Sequence, residues 1–225
     1  MAFDADSDAQ PLKGSTRDEQ KMIDKKVVEV WASASHCHFN RDFQFNSQPT
    51  GMQFTPRRSI GGRAWLSIRL SSVEHEKALV LWANTSLGLL LHWWHANKQQ
   101  VGRGNIGKSA LQGLPILDVT ALTPRRLRDA VGVFDAMLDE SMLPLHEIDK
   151  DAVRKELDER FARDVLHLNK SVWEPGGALE LLRMKLAREP SIRGHKVGDS
   201  AMEPPALPMA AEHVKGYRRG KKPAP

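Results

Sequence analysis

The chain has 225 residues, 40% hydrophobic and 27% charged, which fits one full globular domain or one domain with a smaller appendage. Its single cysteine, Cys37, excludes an intramolecular disulfide and fits a reducing compartment, so a cytoplasmic protein is expected. The net charge of +5 is unevenly spread: residues 31–110 carry nine Lys and Arg against three Asp and Glu, and residues 111–190 carry twelve against fifteen. A field of that kind suits a polyanion near the first folded half, although it also serves plain solubility.

The N-terminal "MAFDADSDAQPLKGS" is acidic and polar, without the apolar core of a signal peptide. Residues 1–24 read as a flexible lead-in. "KKVVEVWA" (Lys25–Ala32) is short and β-branched, "HCHFNRDFQFN" (His36–Asn46) sets three phenylalanines among polar residues, and "RAWLSIRLSS" (Arg63–Ser72) alternates. Turns are expected at Asn46–Gly51 and Thr55–Gly62. These strands predict a small, curved, mostly antiparallel sheet. Ser72 then reads as the N-cap of one helix from about Val73 to His95, apolar on nearly all sides and therefore central. Its apolar run, Ala78–Trp94, is broken by Asn84, Thr85, Ser86 and His92, which points to a buried helix and to no membrane span.

"LPILDV" (Leu114–Val119) is expected to be a strand or an extended docking segment. Thr123 and Pro124 open a helix with Leu127, Ala130, Val131, Phe134, Met137 and Leu138 on one face. A second starts at Asp149 with Val153, Leu157, Phe161, Val165 and Leu168 as its stripe, and a third follows Gly176–Gly177. The expected class is thus α+β: a small curved, mostly antiparallel sheet with a central buried helix, followed by a helical C-terminal region. The expected divisions are a compact domain over 25–120, a helical region over 121–190 and a disordered basic tail over 191–225.

Catalytic motifs are missing from the text. There is no Walker motif, no G-x-S-x-G and no H-E-x-x-H, and "GRGNIG" (Gly102–Gly107) follows a helix where a dinucleotide loop would follow a strand. "HCH" (His36–His38) on a strand sends Cys37 to the face opposite the two histidines, and His92 and His95 sit beside Trp93 and Trp94, a setting for packing. No enzyme site, no cofactor and no metal site are expected.

The polar loop "ANKQQVGRGNIGKS" (Ala96–Ser109) is richer in cations and amides than turning requires. Lys98 and Lys108 suit phosphates, as do Arg57 and Arg58 of the second basic turn, which also carries Arg63. Gln99, Gln100, Arg103 and Asn105 suit base edges, where Asn and Gln match adenine and Arg matches guanine. Gly102, Gly104 and Gly107 would let the backbone approach an anionic surface. Two solvated loops with incidental charge would have the same composition. The strongest arrangement places both basic segments on one side, as a single cationic surface.

The run "ALVLWANTSLGLLLHWWHANKQQVGRGNIGKSALQGLPILDVTALT" resembles the target recognition domain that follows the catalytic domain in N6-adenine DNA methyltransferases of restriction–modification and phage-defence systems, and in type I specificity subunits. The matching positions are Asn84, Ser86, Leu87 and Gly88, then Gly102, Arg103 and Gly104, then Ile106, Leu111, Leu114, Pro115 and Ile116. The resemblance covers about residues 36–194. It implies a module that binds double-stranded DNA. The methyltransferase Asn-Pro-Pro-Tyr motif and the S-adenosylmethionine loop do not occur here, so the expected protein is a recognition module detached from its catalytic domain. A separate methyltransferase or restriction subunit would then dock on residues 121–190. The rival expectation is an assembly subunit that makes no direct DNA contact.

Overall fold

The computed structural model describes residues 13–99 and 102–194. The expectations for residues 1–12, for Gln100 and for the tail from 195 onward lie outside the described residues.

The architecture is α+β. Two small antiparallel sheets precede a helical C-terminal half, and a buried helix runs between them. Its first element overturns two expectations. Residues Arg17–Trp31 form a helix, α1, where a flexible lead-in and a strand were expected. The Thr16 hydroxyl accepts from the Glu19 amide at 3.2 Å, and the Glu19 carboxylate accepts from the Thr16 amide at 3.1 Å. This capping box starts the helix against the β preference of its valines. No side chain of α1 is buried.

The first sheet has the order β3–β1–β4, with β1 at Ser35–Asn40, β3 at Met52–Ser59 and β4 at Trp65–Ile68. Cys37 pairs with Phe54 and Ile68, and Phe39 pairs with Met52 and Leu66, so period 2 sends Cys37 and Phe39 to the buried face. The register shifts between Ser35 and Cys37: Ser35 faces Ser59 while Cys37 faces Phe54. Residues 55–58 bulge opposite His36 alone. The expected turn from Thr55 is therefore the irregular second half of β3. At Arg41 the chain crosses into a second sheet of order β2–β6–β5, where β2 is Asp42–Gln44, β5 is Asn97–Lys98 and β6 is Arg103–Asn105.

The single helix expected over 73–95 is two: α2 (Val73–Ala83) and α3 (Ser86–His95). Thr85 breaks it by capping α3, its hydroxyl accepting from the Gly88 amide at 3.1 Å. Asn84 is withdrawn from the helix to hold β3: its Oδ1 accepts from the Gly51 amide at 2.9 Å, and its Nδ2 donates to the Met52 carbonyl at 2.9 Å. α2 is the central helix, buried from Ala78 to Ala83.

A short helix, α4 (Lys108–Gln112), follows the polar loop. The expected strand at 114–119 forms no ladder. It tucks Leu114 and Leu117 against the core, leaves Ile116 exposed and turns into a 3-10 helix at Val119–Ala121. Five further helices complete the described chain: α5 (Pro124–Met137), α6 (Ala152–Arg160), α7 (Lys170–Trp173), α8 (Ala178–Arg188) and α9 (Pro190–Arg193). On α5 the buried residues are Ala130, Val133, Phe134 and Met137; of the expected face Val131 is only half-buried and Leu138 is exposed. A π-turn at Phe161–Val165 ends α6. α9 seats Ile192 in the core, at a place read as tail. One apolar cluster joins Phe43, Phe45, Leu79 and Leu89 to Phe134, Leu157, Phe161, Leu186 and Ile192.

Four buried charges tie the halves together. The Arg154 guanidinium donates to the carbonyls of Asn84, Pro49 (2.6 Å) and Leu143 (3.3 Å), and its Nε lies 3.3 Å from Asp151 Oδ2. Asp158 accepts from the Ser86 amide at 2.7 Å, from the Ser86 hydroxyl and from Arg183 Nη1. Asn84 and Ser86 belong to the sequence turn that carries the family resemblance; here they serve as the junction between the sheets and the C-terminal helices.

Candidate nucleic-acid interface

The second sheet positions the site. Phe43 and Phe45 of the β2 segment point inward, meet edge to face at 5.0 Å and are fully buried. Asp42 and Gln44 therefore point outward. Across the ladder Asp42 pairs with Asn105, Phe43 with Gly104 and Gln44 with Arg103. Arg103 and Asn105 thus share the outer face with Asp42, and Gly104 lies beneath.

Gly102 and Gly104 have local causes, which corrects the expectation that they expose backbone to an anion; a Cβ on Gly107 would meet nothing within 4 Å. A Cβ on Gly104 would stand 2.5 Å from the Phe45 ring and 2.8 Å from the Ala96 methyl. Gly102 has φ +71°, and a Cβ there would sit 2.7 Å from the Ile192 carbonyl. Their backbone is also engaged: β6 is the central strand, the Phe45 amide donates to the Gly102 carbonyl at 2.8 Å, and the Gln99 amide donates to the Arg103 carbonyl at 2.7 Å.

His92 lies under this sheet. Its ring stacks on Phe39 at 4.9 Å and meets Phe43 at 5.0 Å, and its Nε2 has no hydrogen-bond partner. Burial pushes its pKa down to about 3 from an ordinary 6.5. The unfolded chain takes up a proton that the folded chain refuses. Stability is therefore fully present above pH 6.5 and falls as the pH drops toward 3. His92→Phe is expected to remove about 1.4 kcal/mol of acid destabilisation per pH unit below the ordinary value. Urea midpoints of both proteins at pH 7.5 and 5.5 check this; parallel losses in the two would contradict a neutral buried imidazole.

On the outer face a cleft of about 520 Å³ is lined by Arg41, Asp42, Arg63, Ala64, Gln99, Arg103 and Asn105. Arg41 is placed at the crossover by two backbone bonds: its amide donates to the Ala64 carbonyl at 2.9 Å and its carbonyl accepts from the Ile106 amide at 2.8 Å. Arg103 is bound side-on by Asp42, Nε to Oδ1 at 2.9 Å and Nη2 to Oδ2. That guanidinium holds the Asp42 carboxyl below its ordinary range. Among the described residues Arg103 is the cleft arginine in contact with Asp42, and the Arg41 charge acts on the same carboxyl and lowers it further.

Of the sequence-expected site residues, the cleft gathers Arg63, Gln99, Arg103 and Asn105. It does not gather Arg57 and Arg58. They lie in the β3 bulge beside Ser59, which pairs with Ser35, whereas the cleft begins past Asn40 at the other end of β1. Five strand residues separate these ends by about 17 Å. The expected single surface thus fails for this pair, because the bulge belongs to the far end of the first sheet. Lys98 turns back toward α3, its Nζ donating to the Trp94 carbonyl at 2.9 Å and standing 4.6 Å from the Trp93 ring. Lys108 opens α4. Arg41 and Asp42 were missed from the sequence, although the alternation of Phe43 and Phe45 places Asp42 outward.

The other candidates are engaged locally. Cys37 is buried, and burial together with Glu76 pushes its thiol up to about 12. His38 Nε2 lies 2.8 Å from the Ser59 hydroxyl and His36 Nδ1 lies 2.8 Å from the Thr55 carbonyl. Among the described residues no group of three His, Cys, Asp or Glu could hold a metal ion, and no helix is long and apolar enough to cross a membrane. No family model, curated protein or solved structure matches the chain.

Proposed function

We propose that this chain is a DNA-binding target recognition module of a restriction–modification or phage-defence methyltransferase, acting in the cytoplasm apart from its catalytic domain. One observation carries the reading: three arginines, Arg41, Arg63 and Arg103, meet at a single cleft beside Gln99 and Asn105, with Asp42 as the one acidic residue in its lining. Three positive charges against one negative leave the cleft net cationic, the footprint of phosphate binding. Arg41 and Arg63 would grip the backbone. Gln99 follows the edge strand β5 and Arg103 lies on β6, and from the cleft they would reach base edges. The acidic helices over 121–190 would face a separate methyltransferase or restriction subunit, since their charge disfavours DNA.

Fluorescence anisotropy with a labelled duplex tests the map. Arg63→Ala and Arg103→Ala are expected to weaken binding roughly tenfold each. Arg125→Ala, on the exposed face of α5, is expected to leave it unchanged. Equal effects of all three would contradict the assignment.

The rival reading, an assembly subunit without DNA contact, draws on α1. Val28 and Trp31 of that helix, three residues apart on one side, are 71% and 41% exposed, an apolar spot suited to a protein partner. A salt-insensitive complex and no shift of duplex DNA would favour it.

A further inference from the structure

We propose, resting on the DNA-binding reading above, that Asp42 is a positioning residue that locks Arg103 so that its outer edge reads a guanine. A guanidinium offers two two-pronged edges in one plane. Asp42 occupies the Nε and Nη2 edge. The two hydrogens of Nη1 and the second hydrogen of Nη2 point the other way, and 49% of the Arg103 side chain stays exposed, on the cleft. The carboxylate is anchored in turn: Asp42 sits in the β2–β6 ladder between the buried Phe43 and the crossover at Arg41. The fork is therefore fixed in direction before any ligand arrives, which lowers the ordering cost of a two-point contact.

Charge selects the acceptor. The Arg103–Asp42 pair is neutral overall, so a phosphate gains little from it and is repelled by the adjacent carboxylate. Guanine O6 and N7 are neutral acceptors spaced for this edge, and they keep the full value of the two hydrogen bonds. Arg41 and Arg63, which do not hold the Asp42 carboxylate in a two-point pair, are left for phosphates. One cleft thus separates grip from reading by whether an arginine is locked in such a pair.

The test uses the full chain. Wild type selects duplexes from a randomised pool, and the enriched duplex is remade with 7-deazaguanine at each guanine in turn. The expected result is one guanine whose replacement weakens wild-type binding about tenfold or more. Asp42→Ala is expected to lose that dependence while binding an arbitrary duplex more tightly than wild type does, because a negative charge is gone. Asp42→Glu, which keeps the carboxylate, is expected to restore part of the dependence. A fold defect would lower both affinities together, so the opposite signs identify positioning. Asp42→Ala that keeps the guanine dependence, or that tightens binding to selected and arbitrary duplexes alike, overturns the role of Asp42 and leaves the DNA-binding reading standing. Wild type that binds no duplex overturns both.

Discussion

Asp158→Ala is expected to cost about 3–5 kcal/mol of folding free energy, enough to unfold much of a chain whose total stability is of order 10 kcal/mol. Asp158 is 2% exposed and Arg183 4%. Removing the carboxylate leaves the Arg183 guanidinium without its ion-pair partner, in a place where water does not reach. The Ser86 amide and hydroxyl lose their acceptor at the same stroke. Burial alone raises the Asp158 carboxyl above its ordinary range, and Ser86 and Arg183 oppose that rise. Urea unfolding measures the loss. The double variant Asp158→Leu with Arg183→Met is expected to recover the share due to the unpaired guanidinium, since replacing a buried pair by apolar groups of like size is often neutral, while the Ser86 donors stay without their acceptor. Glu156→Ala breaks only the exposed pair with Arg160 and is expected to cost under about 1 kcal/mol.

Gly104→Ala is expected to destabilise by about 1–3 kcal/mol and to weaken duplex binding with it. The added methyl meets the Phe45 ring at 2.5 Å. That ring is fully buried between Phe43 and His92 and has no room to turn. Relief comes only if β6 lifts from the sheet, which moves Arg103 away from Asp42. A glycine needed for backbone approach to phosphate would instead lose binding with stability intact, so paired thermal melts and anisotropy curves separate the two causes.

The helices were legible where a cap and a period coincide. Ser72 and Thr123 start α2 and α5 as their sequence indicates, each hydroxyl accepting from the amide three residues on. α1 carries a signal of the same kind in Thr16 and Glu19, which the β-branched residues after Lys25 mask. The polar triplet Asn84, Thr85 and Ser86 marks the break, but the apolar residues on either side, Ala78–Ala83 and Leu89–Leu91, suggest one continuous helix. The stripe ending in Leu168 failed for a geometric reason: the helix closes with the π-turn at Phe161–Val165, His167 turns the chain at φ 55°, and Leu168 emerges 41% exposed. The site was half legible. Arg63, Gln99, Arg103 and Asn105 were singled out by composition. Strands of two and three residues have no readable period, so nothing local shows that Asp42 meets Arg103 from 61 positions away. Arg154, Asp158 and Arg183 likewise read as solvated charges on amphipathic helices, and only the packed fold reveals them as buried.

The most direct measurement is a titration of labelled duplex by the full chain between about 50 and 200 mM salt, with Arg41→Ala/Arg63→Ala beside wild type. Wild-type affinity should fall linearly on logarithmic axes, and the double variant should bind more weakly with a slope flatter by about 2, one unit for each phosphate released. Binding by wild type that ignores salt, or a slope that the double variant shares, would contradict the cleft as a nucleic-acid surface.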